Sequence, residues 1–173
     1  MLPKAGVWGL GFGVWGLGFG LLVEGLRGSA SDVRGHITPA AVYSLVDQTL
    51  GSWDQRPIFK ANVQAFISLR TVEPKVPLET LRLLPEWFSS ETSVFPLDPQ
   101  HEPDRENVPK EFQHLPKDAE KERIFKQLQL CNRHGLVKPV DAEHMYYAAI
   151  HSTGCKLTAL GAHYRKMAEF KRI

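Results

Sequence analysis

Apolar residues recur at helical spacing most clearly in the last third of the chain. The pattern predicts a helix over 118–134 that ends before Gly135, with apolar positions on one stripe at Ile124, Leu128 and Cys131. Further helices are predicted from Pro139 to Gly154 and over about 158–171. Three short helices joined by glycine and proline turns predict a compact bundle.

The middle of the chain predicts three more elements. Thr38 has the side chain of an N-cap and Pro39 suits the first helical position, so a helix is predicted over 39–51. Residues 57–71 favour a second helix, although their β-branched content leaves a strand open. A third helix over 78–89 contains Pro85, which is expected to kink or end it.

Residues 91–117 differ in composition from their surroundings. Acidic residues alternate here with five prolines: Pro96, Pro99, Pro103, Pro109 and Pro116. Proline removes backbone donors and acidic side chains prefer water, so the segment is predicted to be a solvated connector between two helical subdomains rather than part of the core. A ligand-binding loop is the alternative, in which the carboxylate oxygens of Glu102 and Asp104, beside His101, would hold a divalent cation.

The N-terminus carries a long uncharged apolar run. No charged residue occurs from Ala5 to Val23, a length that could just cross the hydrocarbon core of a bilayer as a helix. The run contains a perfect repeat, since residues 7–13 and 14–20 are identical. In a helix this period predicts a stripe of small residues on which a second membrane helix could pack: Gly9, Gly13, Gly16 and Gly20.

Three interpretations of this run remain open. It could be a retained membrane anchor, followed by a linker over 25–35. It could be a cleaved leader, with Lys4 as the charged start and Gly28-Ser29-Ala30 as the cleavage pattern. It could also be low-complexity sequence from a local duplication. The retained anchor is the favoured interpretation.

Together these patterns predict a mainly α protein, a small helical bundle preceded by one Gly-rich apolar segment that is transmembrane or a leader. The predicted regions are 1–30 for the membrane segment, 31–90 for a helical region, 91–117 for the connector and 118–173 for three C-terminal helices.

Composition narrows the setting. A formal net charge of +2 lacks the concentrated positive charge of a dedicated nucleic-acid binder. The two cysteines are too few for a disulfide scaffold, and no Asn-x-Ser/Thr site occurs. These features favour an intracellular or organellar setting, with a secreted or lumenal domain bridged by Cys131 and Cys155 as an alternative if a leader is removed.

Two groups of side chains suggest chemistry. One could hold zinc by its ligand types and spacing: Cys131, His134, His151 and Cys155. Core packing of the cysteines and helix-end positions of the histidines explain this group more simply, so no metal and no cofactor are expected. The sequence also predicts no catalytic residue, because Asp141 and Glu143 suit a helix first turn.

The other group makes the C-terminus locally basic: Lys156, Arg165, Lys166, Lys171 and Arg172. It is interpreted as a solvated face, with anionic lipid headgroups or RNA phosphates as possible ligands. We therefore expect a non-enzymatic, membrane-anchored accessory or assembly subunit that binds a membrane protein. The mitochondrial inner membrane is its favoured location. The alternative expectations are a helical module that contacts RNA or DNA, and an endoplasmic-reticulum or secreted location after leader cleavage.

Overall fold

The computed structural model describes residues 18–50, 58–60, 62, 66–104 and 108–173. About half of these residues are helical, which confirms the predicted mainly α character, and short strands form two small sheets that were not predicted. The chain divides into two compact units, an N-terminal unit Met1–Lys75 and a C-terminal unit Val76–Ile173. Among the described residues, no helix combines the length and the apolar character needed to cross a bilayer.

The N-terminal unit combines helices with a two-stranded sheet. Residues 18–24 are helical (α1) and continue into a π-helical turn, Gly25–Ser29. Strand β1 (His36–Ile37) pairs antiparallel with β2 (Arg70–Thr71), and helix α2 (Pro39–Thr49) follows β1. The short strands leave most of the packing of this unit to its helices.

Helix α2 begins as the sequence predicts. The Thr38 side chain accepts a hydrogen bond from the Ala41 amide at 3.1 Å, and Pro39 occupies the first turn. The linker predicted over 25–35 is wrong, because the buried Ala30 packs there with Ile37 and Val42. The folded unit therefore begins upstream of β1.

The helix predicted over 57–71 is also wrong for the residues described there. Residues 58–60 and 66–68 have no regular structure, and the segment ends in β2. Phe59 stacks on Tyr43 with ring centroids 5.2 Å apart, while Phe66 meets His36 edge-on at 5.4 Å. The large apolar side chains described in this segment nevertheless remain exposed.

The described residues of the C-terminal unit form four α-helices, α3 (Leu78–Trp87), α4 (Ala119–Arg133), α5 (Met145–Ile150) and α6 (Ala159–Glu169), and two 3-10 turns, Pro99–His101 and Lys110–Phe112. Helices α3 and α6 pack together, and Asp118 and Thr158 cap α4 and α6. Gly161 of α6 lies so close to the Leu136 carbonyl that a Cβ would overlap its oxygen. The predicted 118–134 and 158–171 helices are confirmed within a residue or two.

Pro85 neither ends α3 nor shortens it greatly. The helix runs two residues beyond Pro85, to Trp87, and Phe88 donates its amide to the Leu84 carbonyl at 2.9 Å. A proline near the end of a helix costs only one backbone hydrogen bond, which the last turn tolerates.

The predicted start of α5 is wrong. Pro139 ends a strand, and Asp141 adopts a left-handed conformation with φ of 50°, so the helix begins only at Met145. Strand pairing therefore replaces the first helical turn that the proline and acidic residues suggested.

A three-stranded antiparallel sheet lies among these helices in the order β3-β5-β4. Its strands are β3 (Val94–Phe95), β4 (Val137–Pro139) and β5 (Cys155–Leu157). The register places Cys155 opposite Phe95 on one side and opposite Pro139 on the other. Alternation along β5 buries Cys155 and Leu157 and leaves Lys156 on the outer face.

The solvated connector predicted over 91–117 is corrected by this sheet. The segment supplies β3, and the 3-10 turn Pro99–His101 packs against α4. Leu97, His101 and Val108 are buried. Composition failed here because a capped turn and a strand partner satisfy the polar groups that water was expected to hold.

Candidate functional site

Three of the four glycines of the predicted stripe, Gly9, Gly13 and Gly16, lie outside the described residues. Gly20 is exposed in α1, and no atom lies within 4 Å of a Cβ built there. The described end of the stripe is therefore open to a neighbour.

The cysteines and histidines of the zinc hypothesis occupy packing and helix-end positions. Cys131 and Cys155 are free thiols in the core, and burial raises the pKa of each to about 12, which disfavours the thiolate that zinc binds. His134 and His151 are the C-cap residues of α4 and α5. Within the described part of the chain, no three His, Cys, Asp or Glu side chains are grouped to hold a metal.

The predicted basic C-terminus divides into one buried and several accessible side chains. Arg165 is buried and donates from Nε to the Phe88 carbonyl at 2.5 Å, from Nη2 to the Ser89 carbonyl at 2.8 Å, and from Nη1 to Glu169 at 3.1 Å. It therefore joins α6 to the end of α3 and is not available for a ligand. The other members stay exposed or half-buried: Lys156, Lys166, Lys171 and Arg172.

A group of titratable side chains surrounds the turn Pro99–His101. The sequence suggested His101 and Glu102 as candidate ligands but not Asp98 or Lys121. Asp98 caps this turn, accepting from the Gln100 amide at 3.0 Å, while its own amide donates to His101 Nδ1 at 3.1 Å. Lys121 of α4 donates from Nζ to Asp98 Oδ2 at 2.5 Å. Burial raises the pKa of Asp98, but Lys121 and His101 outweigh it, and the net pKa is lowered.

Beside this pair lies a carboxylate in an unfavourable position. Glu102 is only 5% exposed and accepts one hydrogen bond, from the Asp104 amide at 3.0 Å. Burial raises its pKa, and the charges of Asp104 and Glu122 add to that rise. A buried oxygen of Glu122 has no hydrogen-bond partner among the described residues.

A row of rings lies on α5. Tyr147 stacks with His144 and with His151, with both centroid separations at 6.0 Å and interplanar angles of 26° and 23°. Tyr146 meets Tyr147 edge-on at 5.3 Å. His144, Tyr147 and His151 are exposed, Tyr147 by 44%. Their spacing of three and four residues, which puts them on one helix face, was the available sequence signal.

The capping turn also had a sequence signal. Asp98-Pro99 followed by His101 has the order of an N-cap, a first-turn proline and a third-position acceptor. The surrounding prolines obscured it.

Comparison with known proteins gives no related protein from which a function could be inferred. No family model matches the chain, and neither a curated protein nor a solved structure matches it significantly.

Proposed function

We propose that this chain is a non-enzymatic accessory or assembly protein that is held to a membrane by its N-terminal apolar run and docks a partner protein through its helical domain. The mitochondrial inner membrane is the favoured location, because the chain lacks glycosylation sites and a disulfide scaffold. The glycine stripe would pack against a transmembrane helix of the partner.

The observation that carries the proposal is the way the apolar run joins the folded unit. A Cβ on Gly25 would lie 3.3 Å from Leu45 and 3.4 Å from Val42, so the chain packs closely on α2 directly after the run. Lys75 Nζ donates to the Ser31 carbonyl at 2.5 Å. Cleavage after Ala30 would remove part of a core, which favours retention over a leader.

Exposed apolar side chains of the same unit support an attached role. The uncharged run continues into α1, where Phe19 is 68% exposed and Leu22 is also exposed. Other large exposed side chains of this unit share that apolar character: Ile58, Phe59, Phe66, Ile67 and Leu69. Concentrated apolar exposure is typical of surfaces that contact protein or lipid.

Binding rather than catalysis suits the polar groups of the C-terminal unit. Asp98 is held by Lys121, and Arg165 is held by two carbonyls and Glu169. Such groups fasten elements of the fold to each other.

Alkaline carbonate extraction of the expressed full chain tests the attachment. We expect the chain to remain in the membrane pellet, and expect Leu10→Lys with Leu17→Lys to release it, since each charge in the hydrocarbon core costs about 2.5–3.5 kcal/mol. Ser44→Lys with Gln48→Lys adds the same charge on exposed positions of α2 and should leave the chain in the pellet. Extraction of the unaltered chain with peripheral proteins would contradict the proposal.

A second candidate, contact with RNA or DNA phosphates, is favoured by one observation. Lys138 and Lys156 lie directly opposite each other on the outer face of the sheet, where like charges repel unless an anion lies between them. Salt-sensitive retardation of a nucleic-acid probe that Lys138→Gln with Lys156→Gln weakens would favour this function. Binding that these changes leave intact would remove its support.

A further inference from the structure

The exposed rings of α5 form a binding surface with a particular chemistry. His144, Tyr147 and His151 make a continuous row in which each imidazole stacks on Tyr147 at 6.0 Å. The face of α5 opposite these rings is buried in the core through Met145, Ala148 and Ala149. The row is thus held rigidly on a packed helix, which lowers the entropy cost of binding.

The charge around the row is strongly negative. Helix α5 packs against the turn Pro99–His101 and against strand β4, so acidic residues near the turn lie close to those at the start of α5. The described residues 97–104 and 139–155 contain no lysine or arginine and five acidic residues: Asp98, Glu102, Asp104, Asp141 and Glu143. Lys138 and Lys156 flank the second segment on the outer face of the sheet. Lys121 from α4 pairs with Asp98 and also donates to Gln100 Oε1 at 3.0 Å. We name the three rings with Asp141 and Glu143 the acidic aromatic surface.

The pKa of Tyr146, which lies beside the acidic aromatic surface, agrees with the excess of acidic residues there. Burial raises the pKa of Tyr146, and the nearby charges of Glu102, Tyr147 and Asp104 raise it further. Glu102 and Asp104 therefore lie close enough to Tyr146 to oppose the ionisation of its hydroxyl.

We propose that the acidic aromatic surface docks an arginine-bearing basic segment of the partner protein. Guanidinium groups suit both parts of this surface, because they stack on aromatic faces and also pair with carboxylates through planar donors. Lysine would satisfy the charge but stack less well, so the chemistry selects arginine. The inference rests on the proposed function and names the chemistry of its partner.

Fluorescence anisotropy of a labelled arginine-glycine repeat peptide, titrated with the full chain in neutral detergent, tests the inference. We expect salt-sensitive binding that is tighter than for the matching lysine-glycine peptide and undetectable for a glutamate-glycine peptide. Tyr147→Ala should weaken arginine-peptide binding about two- to five-fold, as loss of one surface cation–π contact implies. Glu143→Gln should weaken both basic peptides.

Matched controls remove the same groups elsewhere in the C-terminal unit. Phe170→Ala deletes an exposed ring at the end of α6, and Glu86→Gln neutralises an exposed carboxylate on α3. Both should leave binding unchanged. Equal effects of control and test variants would overturn the inference, and so would binding that neither Tyr147→Ala nor Glu143→Gln weakens.

Self-association through this surface would also contradict the proposal that the bound segment comes from a different protein. Concentration-dependent dimers that disappear in both Tyr147→Ala and Lys171→Glu would identify the C-terminus of a second copy as the occupant. Carbonate extraction separates this inference from the proposed function: a chain that resists extraction but binds no basic peptide retains its membrane role and loses only the acidic aromatic surface as a docking site.

Discussion

The described residues of the apolar segment 58–69 in the N-terminal unit are mostly exposed, whereas the acidic, proline-containing segment 94–102 of the C-terminal unit buries several side chains. Phe66 is 70% exposed and Ile67 and Leu69 are exposed too, whereas Leu97 is 2% exposed and His101 is buried. Burial in this protein therefore follows the partners a segment finds.

Those partners are identifiable in the C-terminal unit. Strand β3 pairs with β5, and Asp98 and His101 satisfy the first donors of the turn. In the described residues of 58–69, Phe59 contacts Tyr43, Phe66 contacts His36, and Leu69 donates its amide to the Ile37 carbonyl at 2.8 Å. The large apolar side chains there nevertheless stay exposed. A surface left apolar in this way is suited to contact with another molecule.

The largest expected effect compares one substitution in both environments. Leu97→Ala removes a buried side chain from the C-terminal core and should lower the free energy of unfolding by about 2–4 kcal/mol. Leu69→Ala makes the same change on an exposed side chain and should cost under about 0.5 kcal/mol. Urea unfolding of the full chain in mild detergent measures both, and equal losses would remove the contrast.

A smaller effect is expected from a buried polar contact. Arg165→Met keeps much of the side-chain volume but leaves the Phe88 and Ser89 carbonyls without their donor, at a cost of about 2 kcal/mol. Lys166→Met, on the exposed neighbour, is the control and should change little. If both variants unfold at the same urea concentration as the original chain, Arg165 is not the fastening group between α3 and α6.

The smallest effect should have the opposite sign and depend on pH. Because the folded-state pKa of Glu102 is raised, its ionisation costs stability as pH rises from about 4 through that pKa. Glu102→Gln should therefore raise the melting temperature at pH 7 and have no effect below about pH 4. Glu111→Gln, at an exposed carboxylate, serves as the reference. A lower melting temperature at pH 7 would mean that the charge of Glu102 is stabilising.

Sequence could predict the helices that carry their own start and stop signals. Thr38, Asp118 and Thr158 each cap a helix where the residue order indicates one. The three-stranded sheet could not be predicted, because each strand has two or three residues and gains its stability from distant partners. The same reason explains why the proline-rich segment was interpreted as solvated.

The candidate sites divide in a similar way. The basic character of the C-terminus could be predicted from the sequence. The burial of Arg165 could not, because it depends on carbonyls more than seventy residues away along the chain. The row on α5 could have been found from its spacing. Its acidic setting depends on the packing of α5 against Pro99–His101, which no local pattern indicates.

Retention of the N-terminal run in the mature protein is the central claim, since it turns the apolar surface of the N-terminal unit into a membrane-side surface. Intact mass and N-terminal sequencing of the protein from its native membrane fraction test it most directly. The account predicts a chain that keeps residues 7–20 and sediments with the membrane. A soluble chain beginning near Ser31 would contradict it.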